Sequence, residues 1–308
     1  MERRTFLASL AAASAASQLA QARPTAAAAR ITLLHTNDTH SRVEPFGPGN
    51  GNLSGLGGMA RRAALVKRLR TELGAVLLLD AGDTFQGTPY FNLWRGRLDY
   101  QLMRMVGYDA GTLGNHDFDN GVGPLVEAIE GMQGMTHRHA PFSFVNANFD
   151  CTDAPELARH LKPWIVREFP GVRVGITGVG VAFQGLVAPA NHKGIRWNEP
   201  DQALRPVVEH LRNAERCDVV VVLSHLGFDN HGQAWDDPAL AKAVPGIDVI
   251  IGGHSHTFLE APVKVANAWG DTYINQVGFA GVNLGRMDLT TAGGQLRAAS
   301  GTALPVRA

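Results

Sequence analysis

The sequence shows no excess of either charge. Its 28 basic and 28 acidic side chains cancel over 308 residues, which argues against a nucleic-acid polyanion or an anionic membrane surface as the main partner. Any anion binding must be local. Cysteine is nearly absent: Cys151 and Cys217 are the only two, neither lies in a metal-type spacing, and they read as small buried hydrophobes that an oxidising compartment would permit to bridge. No stretch beyond the first residues has the roughly 18 consecutive apolar residues of a membrane-spanning helix. There is also no internal repeat, and no low-complexity linker after residue 29. The length suits one large α/β domain or two small ones, with a core that needs no disulfide staples.

The first 29 residues differ in composition from the rest. "MERRTFL" carries paired Arg3 and Arg4 before Phe6 and Leu7, an Ala/Ser-rich stretch follows, and Ala20-Gln21-Ala22 offers a small-residue cleavage site. This pattern predicts a twin-arginine-type export signal over 1–29, hence a periplasmic or otherwise exported protein. Residues 30–308 are then the mature domain.

From Arg30 onward, short aliphatic runs alternate with amphipathic stretches, the pattern of β-α units. "ITLLHT" (31 to 36), "AVLLLDA" (75 to 81), "VRVGITGVG" (172 to 180), "CDVVVVLSH" (217 to 225) and "IDVIIGGH" (247 to 254) predict buried strands. Met59 to Leu73, Leu98 to Met105 and Asp201 to Ala214 predict helices. "TYINQVG" and "VNLGRMDLT" read as antiparallel strands without intervening helices, so the expectation is an α/β domain with at least one mixed sheet. "EPFGPGNGNLSGLGG" (44 to 58) is Gly-rich enough to be a mobile surface loop.

Each predicted strand ends in a compact polar group: Asp38 and His40, then Asp83, then Asn115 and His116, then His225, then His254 and His256. Ligand sites in open α/β sheets form at the carboxyl ends of strands, and the gaps between these groups approximate βαβ steps, so the groups should converge. Two aspartates, one asparagine and four imidazoles exceed what one metal ion needs and suit two divalent ions roughly 3.5 to 4 Å apart that share a carboxylate. Asp83, in the tight "AGDTFQG" turn, is the natural bridge. Two divalent ions against two carboxylates leave a positive pocket, a trap for phosphate. Such ions would lower the pKa of a bound water to about 7 and supply a hydroxide nucleophile. His116 could then assist the leaving oxygen while Asp119 orients its ring.

In order and context, "DTH", "GDTFQG", "GNHDFDNG", "SHLG" and "GGHSH" resemble the five signature segments of the calcineurin-like metallophosphoesterases, and "HTNDTH" with the closing "GGHSHT" looks most like the 5′-nucleotidase branch. The resemblance covers essentially residues 30–308. It implies a four-layer α/β sandwich of two mixed β-sheets flanked by helices. It puts Asp38, His40, Asp83 and His256 on one metal, and Asp83, Asn115, His225 and His254 on the other. His116 matches the catalytic histidine and Asp119 its paired acid. The implied activity is hydrolysis of phosphate monoesters, 5′-nucleotidase-like, in nucleotide catabolism. The alternatives are a phosphodiesterase, including a cyclic-nucleotide one, and a catalytic subunit that needs a separate nucleoside-binding partner. Relatives of that branch usually carry a second, C-terminal nucleoside-binding domain, and this chain stops at Ala308, so the expectation is the catalytic domain only. The two divalent ions could be zinc, manganese, iron or cobalt, since mixed N/O ligands accept all four.

Other residues receive a plainer reading. His137 and His139 in "THRHAPF" are assigned to a surface loop. His35, His160, His192, His210 and His231 are left to packing or solvent. Arg61, Arg62, Lys67, Arg68 and Arg70 read as one solvated helix face. Phe85 and Tyr90 are assigned to core packing rather than to flanking a substrate.

Overall fold

The computed structural model describes residues 28–136, 141–230 and 232–308. The expected export signal therefore lies outside the described residues but for its last two positions, as do His137, His139 and His231.

The strands, in chain order, are β1 (Ala29–Thr36), β2 (Val76–Asp80), β3 (Ala110–Gly111), β4 (Ser143–Val145), β5 (Phe149–Asp150), β6 (Leu161–Lys162), β7 (Trp164–Phe169) and β8 (Val172–Gly180). They continue as β9 (Arg196–Trp197), β10 (Val219–His225), β11 (Val249–Gly252), β12 (Val263–Ala266), β13 (Asp271–Asn275), β14 (Asn283–Ala292) and β15 (Gln295–Pro305). One sheet has the order β15-β14-β1-β2-β3-β4-β6 and a second the order β12-β13-β11-β10-β8-β7. Both are mixed. β1 runs parallel to β2 but antiparallel to β14, and β10 runs parallel to β8 and β11 while β7 and β12 are antiparallel edges.

The continuous apolar runs have a simple cause. A strand covered on both faces cannot alternate apolar with polar residues. In β10, Val219, Val221 and Leu223 point into the cluster between the two sheets, where they meet Ile31 and Leu33 of β1 and Leu77 and Leu79 of β2. Val220 and Val222 point the other way, onto the helices Pro200–Asn213 and Asp237–Ala243. Leu34 and Leu78 on the first sheet pack beneath the helices Met59–Leu73, Arg97–Val106 and Val122–Gln133. The layers are thus helix, sheet, sheet, helix, as the four-layer expectation has it.

The two late strands form as expected, each with an antiparallel neighbour, but in different sheets: β13 pairs antiparallel with β12 and parallel with β11, while β14 lies antiparallel between β1 and β15. Two local readings need correction. The Gly-rich segment 44–58 is tied down rather than loose. Phe46 packs with Leu53, Leu56, Ala280 and Val282, and its amide donates to Leu56 O at 2.9 Å. Arg62 leaves the solvated face altogether, because Met59, Arg62, Val66 and Leu69 share the buried stripe of their helix. Both cysteines are buried and free. Among the described residues, no helix is long and apolar enough to cross a membrane.

Candidate metal centre

The carboxyl ends of β1, β2 and β3 in one sheet, and of β10 and β11 in the other, open onto a common edge. His225 closes β10, and the loops that follow these strands carry the other polar groups singled out above. The β1 and β2 loops run side by side: Asp38 N donates to Gly82 O, His40 N to Asp83 O and Ser41 N to Thr84 O at 2.8 to 3.1 Å. Gly82 is required there, since its φ is 90° and a Cβ would stand 2.6 Å from Gly114 N.

Two groups of ligand atoms result. Asp38, His40 and His256 form one, and Asp83, His225 and His254 the other, with the atoms of each group within 4.8 Å of one another. Asn115 reaches the second group through its Oδ1, 2.9 Å from His254 Nδ1. Asp83 falls with His225 and His254 and is not grouped with the Asp38 trio. His254 N donates to both Asp38 carboxylate oxygens at 3.0 Å, which ties the two groups together.

The donor atoms suit cations. His225 Nδ1 faces the Ala81 carbonyl at 2.7 Å and must donate to it, so in the neutral ring Nε2 is a bare lone pair. That nitrogen is buried, makes no hydrogen bond, and stands 3.1 Å from Asp83 Oδ2. His40 repeats the arrangement: Nδ1 faces Phe85 O at 3.0 Å, leaving Nε2 2.9 Å from His256 Nε2. A His225 lone pair facing a carboxylate, and a His40 lone pair facing a second imidazole, are positions that a proton or a metal cation fills. Without an ion, protons meet the same demand for positive charge. Burial alone would raise Asp83, yet His225, His40 and His116 hold its carboxyl below the usual range. Burial opposes charge on His225 as well, but Asp83 and Asp38 raise it to about 10. His254, buried beside the His225 charge, falls to about 4.

Backbone strain is concentrated at the same place. Asp38, His40, Asp83, His254 and His256 all have φ between 47° and 69°. Left-handed backbone is costly for any residue with a Cβ and persists where the surroundings enforce it.

His116 sits beside the first group, its ring 5.5 Å from that of His40. Its Nδ1 lies 3.0 Å from Asp119 Oδ2, and this hydrogen bond, with Asp83 nearby, raises the imidazole above its ordinary pKa against the opposing effect of burial. His116 N donates to Asp83 Oδ1 at 2.8 Å, so the turn that carries the histidine is fixed to the carboxylate.

Residues 31–258 match the family of calcineurin-like phosphoesterases. The chain belongs to that family. Its members are dinuclear metal enzymes that hydrolyse phosphoesters, and the four-layer fold and paired ligand groups agree with membership. The chain is 31% identical over 282 residues to the trifunctional nucleotide phosphoesterase protein YfkN of Bacillus subtilis (strain 168), a match covering 84% of this chain and 18% of that protein. It is 35% identical over 244 residues to the 5′-nucleotidase of Rattus norvegicus, covering 77% and 39%. The crystal structure of a 5′-nucleotidase precursor from Thermus thermophilus superposes with a TM-score of 0.80 at 35% identity, covering 90% of this chain and 54% of that one. This chain thus spans well under half the length of the two curated relatives.

Sequence reasoning missed the residue that holds the turn together. Asp117, buried between Asn115 and Asp119, accepts from the amides of Asp83, Thr84, Phe85 and Gly114 at 2.8 to 3.3 Å. The available signal was a second acid in "GNHDFD" with no assigned task. Phe85 packs in the core against Phe91 and Tyr100 as expected. Tyr90 does not: it is partly exposed, and its hydroxyl donates to Glu44 at 3.1 Å. His35 is fully buried; His192 stacks on Phe183, and the His210 ring meets Trp164 at a 45° tilt.

Proposed function

We propose that residues 30–308 form an exported two-metal phosphomonoesterase domain acting on 5′-nucleotide-like esters. Asp38, His40, Asp83 and His256 would hold one divalent ion, and Asp83, Asn115, His225 and His254 the other, with Asp83 shared. Bound there, zinc, manganese, iron or cobalt would supply positive charge for the phosphoryl oxygens and an acidified water. The protein's own contribution is proton transfer and positioning. Water adds to phosphorus and releases a proton to solvent, the ester P–O bond breaks with its electron pair on the leaving oxygen, and His116 closes that oxygen as an alcohol by giving up a ring proton that it regains from solvent. Asp119 keeps the ring oriented and favours its protonated form. The observation that carries this reading is the His116–Asp119 pair set one ring contact from His40, at the edge of two N/O donor groups. Export rests on the Arg3-Arg4 leader, whose pathway accepts folded proteins and would let the metal centre assemble first.

The test is phosphate release by the purified protein, stripped and reloaded with manganese or zinc, from nucleoside 5′-monophosphates, sugar phosphates, and aryl mono- and diesters. Monoester turnover that favours 5′-nucleotides is expected. Turnover of diesters alone would replace the reading with a phosphodiesterase. Activity that appears only when a separate nucleoside-binding protein is added would make the chain a catalytic subunit.

A further inference from the structure

Beside the proposed metal centre, the described residues display a rigid aromatic surface that the reading above leaves unused. Phe258 is 49% exposed although it lies only two residues beyond His256. Its position is fixed on both sides. The backbone bridges to Val277, Gly278 N donates to Thr257 O at 2.9 Å, and Leu259 N donates to Gln276 O at 3.0 Å. The ring lies over Gly278, whose φ is 84° and where any Cβ would run into it. Phe279 meets it edge-on, with centroids 6.1 Å apart and planes at 80°, and Phe279 in turn stacks on the His256 ring at 5.1 Å and 15°. Rings therefore run in contact from His116 through His40, His256 and Phe279 to Phe258. Among the described residues, the other exposed large hydrophobics are Leu93, Trp94, Met105, Leu186 and Trp269. None of these has a described ring contact to a site residue, and Trp269 is covered by the Arg212 guanidinium at 5.0 Å.

An exposed phenyl ring held still by its backbone loses little freedom when a second ring lies on it, so it favours planar ligands over flexible ones. Its place two ring contacts from a proposed ligand is where the organic part of an ester would lie once its phosphate sits among the ligand groups. We propose that Phe258 is a specificity-determining residue that stacks on a planar ring in the substrate's leaving group, within the phosphoester-hydrolase reading above. Nucleobases and simple aryl esters share that chemistry.

The experiment compares wild type, Phe258→Ala and Phe258→Trp, each loaded with manganese, on AMP, phenyl phosphate and glycerol 3-phosphate. Phe258→Ala should raise KM for the ring-bearing esters by about tenfold, as loss of one base–aromatic stack does. It should leave kcat and all glycerol 3-phosphate kinetics unchanged, and Phe258→Trp should restore KM. A loss confined to AMP identifies the nucleobase as the natural ring, and a loss on both ring esters means any planar group is accepted. Equal losses on all three esters, or none, overturn the proposal. Calorimetric titration of AMP into the same loaded proteins separates it from the parent reading. If wild type hydrolyses no ester, that reading fails, while AMP binding about tenfold weaker in Phe258→Ala still supports the platform and unchanged binding refutes it.

Discussion

Asp83 and His116 touch through the backbone, yet their removal should have different consequences. Asp83→Ala deletes a buried carboxylate that faces His225, and should lose bound metal and phosphate release together. His116→Ala leaves every proposed ligand in place. Its turnover should fall by about 10² to 10⁴-fold, the usual worth of a positioned acid–base group, with metal content by mass spectrometry unchanged. Metal lost in both variants would sink the division of roles. A second histidine speaks through stability. Burial pushes His35 from its ordinary value down to about 3, so between pH 6.5 and 3 the unfolded chain binds a proton that the folded one refuses. Stability therefore falls as pH drops through that window, by up to about 1.4 kcal/mol per pH unit. In His35→Leu this contribution is gone, and the gap in unfolding free energy between the two proteins should shift steadily from pH 6.5 to 4. A constant gap would refute the assignment.

At the scale of elements, the helix Met59–Leu73 is wired to the Asp83 turn. Arg62 Nη1 donates to Tyr108 Oη at 3.0 Å, the tyrosine hydroxyl lies 2.7 Å from Thr36 Oγ1, and Thr36 donates to Asp80 at 2.6 Å. Asp80 then accepts from Gly82 N at 3.0 Å. Burial raises Asp80 to about 6, and the Arg62 charge works in the opposite direction. Arg62→Ala would take from the buried Tyr108 hydroxyl its hydrogen-bond donor and from Asp80 the opposing charge, and should cost about 1 to 3 kcal/mol in denaturant unfolding; a loss below about 0.5 kcal/mol, typical of a surface site, would restore the solvated-face reading. The error is instructive. The residue-type count marked Arg62 as part of a basic run, whereas its spacing from Met59, Val66 and Leu69 marked it as buried. The strands β10 and β11 were legible because double-sided burial writes itself as unbroken valine, isoleucine and leucine. β15 was not, since it alternates exposed and half-buried positions at a sheet edge, and neither was the helix Val122–Gln133, which opens through Gly123 and Pro124. The site was the most legible part of all: polar residues at the ends of apolar runs have no packing reason to be there. Phe258 carried no such signal, because its meaning lies in what Gly278 and Phe279 do around it.

At the scale of the whole molecule, the two sheets are held together by the core between them and, at one edge, by the ligand loops. Asp38, Asp83 and Asn115 come from the first sheet, and His225, His254 and His256 from the second. Divalent ions bound there would close the opening edge of the sandwich and bind the folded state alone. Exhaustive chelation should lower the thermal midpoint by about 8 °C or more, from roughly 4 kcal/mol at a thousandfold excess over Kd and 2 to 4 °C per kcal/mol, and readdition of manganese or zinc should reverse the loss. An unchanged midpoint in calorimetry would mean that the ligand loops are fully organised by the protein itself.

The position of β14 also sets a timetable. β1 lies between β2 and β14, and Thr32 of β1 donates to Asp288 of β14, 256 residues later. The loop bearing Asp38 and His40 is pinned at equal remove, by Val277 N on Asn37 and by Ala280 N on the Asp38 carbonyl. A chain emerging from the ribosome thus carries its first two proposed ligands with one flank of their strand bare until β14 has been made. Until then the nascent chain offers metal scattered, unfixed donors and no centre, which makes ion loading a step that waits for β14 rather than one that keeps pace with the first ligands.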